Sequence, residues 1–479
     1  MQKGVAKAAL FYERYFDTDS SIEGFAMLEV VILAAGKGSR MKSAVPKVMH
    51  SLAGKPFLQH VVEKARKLKP KTIHLVVGHG AEIVNQHFNQ KDIHSVVQAQ
   101  QLGTGHAVAQ ALDHLQDDSI VSILYGDVPL IQEGTLEALN TLVSSDSMGL
   151  LTVDLQDPTG YGRIVRENGA VTAIVEHKDA DGTQRLINEV NTGVMAVSAR
   201  HLKQWLPQLN SDNAQGELYL TDIIAMAAKQ GVAINTVQPA HSWEVMGVNN
   251  RQQQAELERI YQGEIANTLM ENGVTLLDPA RFDCRGSLTC GNDCVIDINC
   301  VFEGDVTLGN GVTIGPNTVI INSTIGDNTT VKANCIIEDS ILQSHCDIGP
   351  FARLRPGSQL ADKAKIGNFV ETKNAIIGKG SKVNHLSYVG DAQLGEDVNV
   401  GAGTITCNYD GANKHKTQIG NRVFVGSNTA LVAPINIEDG ATIAAGSTIT
   451  KNVGQDELVL ARSKQKSING WQRPVKKPK

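Results

Sequence analysis

The sequence has few aromatic residues, no excess of positive charge and no long apolar run. Aromatic residues make up 4% of its 479 residues, and the formal net charge is −6. This charge gives no reason to expect nucleic acid as a partner, because nucleic-acid-binding domains are basic. No stretch approaches the ~18 consecutive apolar residues that can span a bilayer, so we expect no membrane segment.

Residues 1–26 do not resemble a signal peptide, so we expect none. Residues 1–26 contain acidic side chains and no apolar central region. Two interpretations of this extension stay open, namely a disordered N-terminus and a start codon assigned too early. Because we expect neither a signal peptide nor a membrane segment, we expect a cytoplasmic protein.

The cysteines form no CxxC pair, so a zinc site is not expected. Their odd number favours a reducing cytoplasm. Several lie six residues apart, and free cysteine is often buried as a small apolar residue. We predict core positions for most of the seven, which are Cys284, Cys290, Cys294, Cys300, Cys335, Cys346 and Cys407.

The first strand candidate is followed by neither GxGxxG nor GxxxxGK[ST]. These absences disfavour a dinucleotide-binding site and exclude a P-loop. The strand Val30–Leu33 runs instead into Ala34-Ala35-Gly36-Lys37-Gly38-Ser39-Arg40-Met41. A Gly-containing turn between a strand and a helix start offers backbone N–H groups to phosphate. Arg40 and Lys47 would neutralise a polyphosphate.

Residues 27–250 alternate short β-branched runs with amphipathic stretches such as Phe57–Leu68 and Gly134–Val143. This alternation predicts an α/β domain with a Rossmann-like, mostly parallel sheet, whose ligands bind at the carboxyl ends of the strands. The predicted strands are Val30–Leu33, Ile73–Val77, Ser95–Val97, Ile120–Tyr125, Met148–Val153 and Thr192–Val197.

After a predicted linker helix at 251–272, residues 273–479 follow a period of six. The apolar positions that repeat are Phe302, Leu308, Ile314 and Ile320; Ile348, Leu354, Leu360 and Ile366; and Ile419, Val425, Leu431, Ile437, Ile443 and Ile449. A helix with 3.6 residues per turn cannot keep every sixth residue on one face, but short strands with a corner every six residues can. The pattern predicts a parallel β-helix, and the polar interruption at 406–416 predicts a loop that leaves it.

Asp127 follows the strand Ile120–Tyr125 in the run Tyr125-Gly126-Asp127. A carboxylate at the end of a strand beside a phosphate site suits Mg²⁺. Capping of the next helix is the alternative role, and the spacing does not decide between them.

The strings LAAGKGSRM, PKV, QLGTGHA, YGDVPL, GYGRI, VEHKD, NTG and GVNNR occur in this order. They resemble those of sugar-nucleotide pyrophosphorylases. With the C-terminal repeats, residues 27 to about 475 resemble the bifunctional N-acetylglucosamine-1-phosphate uridyltransferases and glucosamine-1-phosphate acetyltransferases of bacterial cell-wall precursor synthesis.

The resemblance implies that the N-terminal half transfers uridylyl from UTP to N-acetylglucosamine 1-phosphate and releases pyrophosphate. It implies Mg²⁺ at Asp127 and Asn249 and uracil contacts at Gln98, Gly103 and Thr104. The remaining nucleotide and sugar residues it implies are Leu33, Ala34, Ala35, Gly36, Arg40, Lys47, Tyr125, Gly126, Gly162, Glu176 and Asn191. From its chemistry alone, the Gln98 amide both donates and accepts, which would match an imide edge.

For the C-terminal half, the resemblance implies a left-handed β-helix that acetylates glucosamine 1-phosphate from acetyl-CoA, with His385 as the general base. It implies sugar-phosphate contacts at Arg355, Lys373, Tyr388, Asn399, Asn408 and Tyr409, and an acetyl-CoA groove at Ala402, Ser427, Ala445 and Arg462. It further implies a homotrimer. Trp471 and the basic tail are predicted to close over CoA.

Two other interpretations remain. The β-helix could be a non-catalytic oligomerisation module on a nucleotidyltransferase, or the whole chain could be a structural trimer. The base and cation set argues against the first, and the Leu33–Met41 string with Asp127 and Asn249 argues against the second.

Overall fold

The computed structural model describes residues 27–476. The predictions for residues 1–26 therefore lie outside the described residues. The chain divides into two compact units between Tyr261 and Gln262.

The first unit is built on a nine-stranded sheet with helices between its strands. Its strands are β1 Met27–Ala34, β4 Thr72–Val77, β5 Ile93–Val97, β6 Ser119–Tyr125, β7 Ser147–Asp154, β8 Arg163–Glu167, β9 Ala170–Val175, β10 Glu189–Ser198 and β11 Ala233–Val237, with the small hairpin β2 Ser51–Leu52 and β3 Lys55–Pro56 outside it. Its helices are α1 Phe57–Lys67, α2 Ala81–His87, α3 Thr104–Ala109, α4 Glu133–Asn140, α5 Ala199–Trp205 and α6 Asp222–Lys229. Helix α7, Arg251–Glu271, contains the boundary between the units.

The strand order is β11-β7-β10-β6-β1-β4-β5. Strand β1 pairs in parallel with β4 and β6, and β4 pairs in parallel with β5. Strand β10 pairs antiparallel with β6 and β7, and it also carries the β8–β9 hairpin. The carboxyl ends of β1 and β6 lie side by side, because Leu33 pairs with Tyr125.

All six predicted strands are present, each lengthened by one to four residues. The β8–β9 hairpin and β11 were not predicted, because these runs are only five or six residues long and mix buried, half-buried and exposed residues without a regular alternation. The predicted helix start after β1 is wrong in one respect. Only the three-residue 3₁₀ turn Ser39–Met41 forms, and Lys42 follows it at φ +48°, which ends the turn.

The second unit is a parallel β-helix. One sheet of eleven strands contains β12 Thr275–Leu276, β14 Val295–Ile296, β16 Thr313–Ile314, β19 Thr330–Val331, β22 Asp347–Ile348, β25 Lys365–Asn368, β27 Lys382–His385, β29 Asn399–Val400, β32 Phe424–Val425, β35 Thr442–Ile443 and β37 Leu458–Val459. The remaining strands form a fifteen-stranded sheet: β13 Phe282–Cys290, β15 Cys300–Leu308, β17 Val319–Ile321, β18 Thr324–Ile325, β20 Ile336–Glu338, β21 Ile341–Leu342, β23 Arg353–Leu354, β24 Gln359–Leu360, β26 Glu371–Ile377, β28 Tyr388–Leu394, β30 Ile405–Cys407, β31 Thr417–Ile419, β33 Ala430–Val432, β34 Ile435–Ile437 and β36 Thr448–Ile449.

The six-residue period is the buried column of this β-helix. All fourteen repeating apolar positions identified in the sequence are at most 5% exposed. Successive coils pair in register, as where Val331 pairs with Ile348 and Ile348 with Ile366. Each backbone N–H therefore finds a carbonyl on the neighbouring coil, and each coil buries its aliphatic side chain on the one below.

The predicted loop leaves the stack between β30 and β31. Strand β28 pairs with both, at Tyr388–Ile405 and Ala392–Thr417, so residues 408–416 add an excursion to one coil.

All seven cysteines carry free thiols, and five of them are buried. Burial raises the pKa of Cys300 and Cys346 to about 11, which keeps these thiols neutral. Among the helices of residues 27–476, none combines the length and the apolarity that crossing a bilayer requires.

Candidate active sites

Lys47 lies where three distant segments of the first unit meet. Its ammonium group makes an ion pair with Asp127, and its Nζ lies 3.2 Å from Oδ1 of Asn249. Arg40 donates to the same Oδ1 over 2.9 Å. Gly38 permits this approach, because it has φ +59° and a Cβ there would lie 2.6 Å from Cβ of Lys47. Two oxygen-bearing side chains and two cations thus converge at the carboxyl edge of the sheet.

The pair Asp127 and Asn249 fits the predicted Mg²⁺. A Cβ on Gly247 would lie 3.9 Å from both Oδ2 of Asp127 and Nδ2 of Asn249, so the two side chains flank one small space. Asp127 does not cap the next helix, Glu133–Asn140, whose N-cap is Gln132, and its side chain binds Lys47 instead. Within residues 27–476 no group of three His, Cys, Asp or Glu side chains is placed to hold a metal. One carboxylate and one amide oxygen, completed by substrate phosphates, are a ligand set that Mg²⁺ accepts.

The predicted phosphate turn lies beside this cluster. Leu33, Ala34 and Ala35 are buried, and Gly36 is exposed. The N–H of Gly126 donates to the carbonyl of Leu33 over 3.0 Å, which joins the two predicted strings. Because only a short 3₁₀ turn follows, this turn offers a phosphate backbone N–H groups and cations rather than a helix dipole.

Gln98 is 3% exposed directly after β5. Its Nε2 lies 3.1 Å from the carbonyl oxygen of Gly103 and 3.1 Å from Nδ1 of His106. Gly103 has φ +118°, and a Cβ there would lie 2.5 Å from the carbonyl oxygen of Leu218. The hydroxyl of Thr104 accepts from the N–H of Leu220 over 3.1 Å, so Thr104 also holds this loop in place.

Tyr125 connects the cation cluster to the predicted sugar residues. Burial raises the pKa of its hydroxyl, and the nearby carboxylates of Asp127 and Glu176 raise it further. Burial likewise raises the pKa of Glu176, whose carboxylate accepts from Thr221 over 3.1 Å.

Gly162 and Asn191 join this group through the backbone. A Cβ on Gly162 would lie 3.4 Å from Oε1 of Glu176, so Glu176 borders this glycine. The N–H of Asn191 donates to the carbonyl of Gly162 over 2.9 Å, and its Oδ1 accepts from Gly193.

On the β-helix, two of the predicted sugar-phosphate residues, Arg355 and Lys373, form a cation cluster with Lys414 beside the fifteen-stranded sheet. Arg355 makes an ion pair of 2.8 Å with Glu371, and Glu371 pairs in register with Tyr388. The ammonium of Lys414 lowers the pKa of Lys373, and the nearby guanidinium of Arg355 adds to this effect. Cations held so close together favour a polyanionic ligand such as a phosphate.

His385 ends β27 at a corner of the β-helix. Its Nδ1 lies 2.7 Å from Oδ1 of Asn368, which is its register partner on the previous coil. Because an amide oxygen can only accept, Nδ1 carries the proton and Nε2 keeps its lone pair. The exposed imidazole therefore presents a basic nitrogen away from Asn368.

The excursion at 408–416 is anchored at its start. Asn408 is 8% exposed and donates to Oδ2 of Asp391 over 2.5 Å, while Asn374 donates to Oδ1 over 2.6 Å. Tyr409 is 61% exposed, and its hydroxyl donates to the carbonyl of Gly411 within the loop. Asn408 therefore holds the base of the loop, and Tyr409 faces outward.

The four predicted acetyl-CoA residues lie in one column along a corner. The carbonyl of Ala402 accepts from the coil that carries Ser427, and the carbonyl of Ser427 accepts from the coil that carries Ala445. Arg462 donates to the carbonyl of Ala445 over 2.7 Å. Asn399, by contrast, lies in the eleven-stranded sheet, away from the sheet of Arg355, Lys373 and Tyr388.

Sequence reasoning did not identify Lys414, Asp391, Asn368 or His106. Lys414 lies in the polar interruption, so its position was a usable signal. The other three act through side-chain contacts over 8 to 17 residues that no six-residue or strand period predicts.

Comparison with known proteins finds different families in the two units of the chain. Residues 30–212 match the MobA-like NTP transferase domain, residues 284–370 the GMPPB C-terminal domain, and residues 416–451 the hexapeptide repeat of succinyl-transferase. These matches and the parallel coils identify the second unit as a left-handed β-helix.

Related proteins match almost the whole chain. The bifunctional protein GlmU of Saccharophagus degradans is 64% identical over 451 residues, covering 94% of this chain and 100% of its own. The one from Cellvibrio japonicus is also 64% identical, over 452 residues with the same coverage, and that from Marinobacter nauticus is 60% identical over 450 residues, 94% of this chain and 99% of its own. The chain therefore belongs to the GlmU family of bifunctional enzymes, which join an N-acetylglucosamine-1-phosphate uridyltransferase to a glucosamine-1-phosphate N-acetyltransferase.

Proposed function

We propose that residues 27–250 carry uridylyl transfer and residues 273–479 carry acetyl transfer, with helix 251–272 between them. The observation that carries this assignment is the convergence of Lys47, Asp127 and Asn249 in one unit, while the general-base candidate His385 lies in the other. Substrates of the two reactions are UTP, acetyl-CoA and amino-sugar phosphates.

In the first reaction, a phosphate oxygen of N-acetylglucosamine 1-phosphate attacks the α-phosphorus of UTP, and the bond to the β-phosphate breaks to release pyrophosphate. Lys47 and Arg40 are placed to neutralise the phosphates, with backbone N–H groups of the turn after Leu33. Asp127 and Asn249 would hold Mg²⁺, which supplies positive charge to the phosphate oxygens. Positioning and charge neutralisation account for most catalysis of this type.

Lys47 would change partner in this reaction. Its ammonium pairs with Asp127, so a metal ligated by that carboxylate would free Lys47 for a phosphate oxygen. Gly162, Glu176 and Asn191 are proposed to hold the sugar, beside the buried Tyr125.

In the second reaction, the amine of glucosamine 1-phosphate attacks the thioester carbonyl of acetyl-CoA, and the bond to sulfur breaks. Nε2 of His385 would take the proton that the amine loses, while Asn368 holds the ring through Nδ1. Arg355, Lys373 and Lys414 would bind the sugar phosphate, and the column from Ala402 to Arg462 would hold acetyl-CoA.

We also propose a homotrimer in the cytoplasm. One chain places Asn399 on a different sheet from Lys373 and Tyr388, so a neighbouring β-helix would complete the set. Phe351 and Phe369 stack at 5.2 Å on the surface of the β-helix, and each is about half exposed, as an interface residue of a separated chain would be. The seven free thiols suit a reducing compartment.

The test supplies His385→Ala and Asp127→Ala separately with the substrates of each half-reaction. We expect His385→Ala to lose acetyl transfer and keep uridylyl transfer, and Asp127→Ala to show the reverse. Asp127→Ala should also lose Mg²⁺ affinity measured by calorimetry with UTP present. Normal acetylation by His385→Ala would show that the base is assigned wrongly, and light scattering that reports a monomer would reject the trimer.

A further inference from the structure

The buried Gln98 contacts the half-buried His106 beside the proposed nucleotide site. Gln98 follows β5, and His106 lies in α3. The Nε2 atom of Gln98 is 3.1 Å from the carbonyl oxygen of Gly103 and 3.1 Å from Nδ1 of His106. The side chain that is expected to contact the nucleobase is therefore held on two sides.

The orientation of the Gln98 amide follows from the chemistry of these partners. A backbone carbonyl can only accept, so the atom of Gln98 that faces Gly103 must be the NH₂ group. That group has two hydrogens and two acceptors within reach, namely Gly103 and Nδ1 of His106. Both donors of the amide are thus used inside the protein.

His106 completes this arrangement only in one tautomer. If Nδ1 accepts from Gln98, the imidazole proton is on Nε2. Gln110 lies at the partly exposed end of α3, where its Nε2 donates to the carbonyl of His106 over 3.1 Å and lies 3.2 Å from Nε2 of the ring. The neutral ring has one lone pair for the two NH₂ groups, and we assign it to Gln98, which is 3% exposed, because leaving the more buried donor unpaired costs more. A proton on Nδ1 would instead oppose the NH₂ group of Gln98.

The one remaining polar atom of Gln98 is Oε1. In the described part of the chain it accepts no hydrogen bond from protein. The expectation from sequence was that the amide would both donate to and accept from the base. The geometry corrects this, because Gln98 has only an acceptor to offer.

We propose that His106 is a specificity-determining residue that acts by positioning Gln98 so that only Oε1 faces the nucleobase. Uracil has an N–H donor at N3, whereas cytosine has an acceptor lone pair there. An acceptor fixed at that place binds uracil and repels cytosine, and it cannot adapt by rotating while His106 and Gly103 hold both hydrogens. This inference rests on the proposed role of Gln98 at the base.

The experiment compares UTP and CTP as substrates for His106→Phe and His106→Asn in the full chain. Phenylalanine keeps a planar ring but has no acceptor, so the Gln98 amide becomes free to turn. Asparagine can place Oδ1 close to the position of Nδ1 and keep the contact. We expect the UTP/CTP ratio of kcat/KM to fall about tenfold or more in His106→Phe, mainly through KM, since one well-oriented base contact discriminates by about this factor. His106→Asn should retain most of the ratio.

Acetyl transfer by the same preparations reports that the second unit is folded, and kcat with UTP reports the same for the first unit. An unchanged ratio in His106→Phe, or equal losses with both nucleotides, overturns the proposal. Gln98→Ala separates the two levels of the argument. If it uses UTP normally, the role of Gln98 at the base is wrong. If it loses UTP while His106→Phe keeps the ratio, only the role of His106 is wrong.

Discussion

Replacing Gly193 by alanine tests how tightly Tyr125 is held beside the proposed uridylyl site. Gly193 has φ +87°, and a Cβ there would lie 2.6 Å from Cε2 of Tyr125 and 2.8 Å from Cζ. Such contacts do not occur in folded proteins, so the ring or strand β10 must move. Gly169 is a matched control, because it has φ +86° in the β8–β9 turn and a Cβ there would meet nothing within 4 Å.

The two substitutions share one cost and differ in another. Alanine at positive φ costs about 1–2 kcal/mol, offset by about 0.4–1 kcal/mol through the lower entropy of the unfolded chain. Overpacking against a buried ring adds about 1–3 kcal/mol. We therefore expect Gly169→Ala to lower the free energy of unfolding by about 1 kcal/mol and Gly193→Ala by about 2–4 kcal/mol.

Urea unfolding monitored by tryptophan fluorescence measures the difference, because Trp205 is fully buried in the first unit. With a denaturant slope near 3 kcal/mol/M for a unit of this size, the midpoint of Gly193→Ala should lie about 0.3–1 M below that of Gly169→Ala. Gly193→Ala should also lose uridylyl transfer while keeping acetyl transfer. Equal midpoints for the two variants would show that Tyr125 yields without cost and would refute the reasoning.

Three further predictions concern buried or paired side chains. Asn368→Leu should lower acetyl transfer about tenfold or more by releasing Nδ1 of His385. Asn368→Asp should restore activity with the acidic limb of the pH profile shifted to higher pH, because a carboxylate beside Nδ1 favours the protonated ring. Asp391→Ala removes the carboxylate that the amides of Asn374 and Asn408 bind at the base of the loop. Acetyl transfer should fall about tenfold to a hundredfold, which is the size expected for losing a hydrogen bond to a buried charge, and uridylyl transfer should not change. Burial lowers the pKa of His74 below its usual value despite the nearby Glu29, so the neutral ring stabilises the fold above pH 6.5 and this stability is lost as the pH falls below it. Urea midpoints of the first unit should therefore drop between pH 7 and 5, and the drop should be smaller in His74→Gln; an equal drop would exclude His74 as its cause.

Patterns that decide which face is buried were readable from sequence. The six-residue period correctly placed all fourteen repeating apolar positions in the core. When each six-residue unit is one short strand and one corner, every sixth side chain points to the inside of the β-helix. The strands of the first unit were found for the same reason, with errors at their ends. The β8–β9 hairpin was missed, since its strands are only five and six residues long and their burial follows no regular period.

Side-chain convergence was not readable in this way. Lys47 meets Asp127 and Asn249 across 80 and 202 residues. The sequence suggested Lys47 from its charge near the Gly-containing turn and Asp127 from its place after a predicted strand, but only the resemblance suggested Asn249. The use of both Gln98 hydrogens depends on where Gly103 turns, at φ +118°. Such contacts depend on how loops are arranged in the folded chain, and no repeating pattern in the local sequence encodes that arrangement.

Because its coils stack in register, the length of the β-helix changes in steps of one coil. Neighbouring coils are about 4.8 Å apart, so removing or adding one coil changes lengths along the axis by that step and leaves every other coil paired as before. The coils of residues 291–325 precede the acetyltransferase residues and contribute none of them. Evolution or design can therefore lengthen or shorten this segment in whole steps, moving the acetyltransferase site along the axis without rebuilding it.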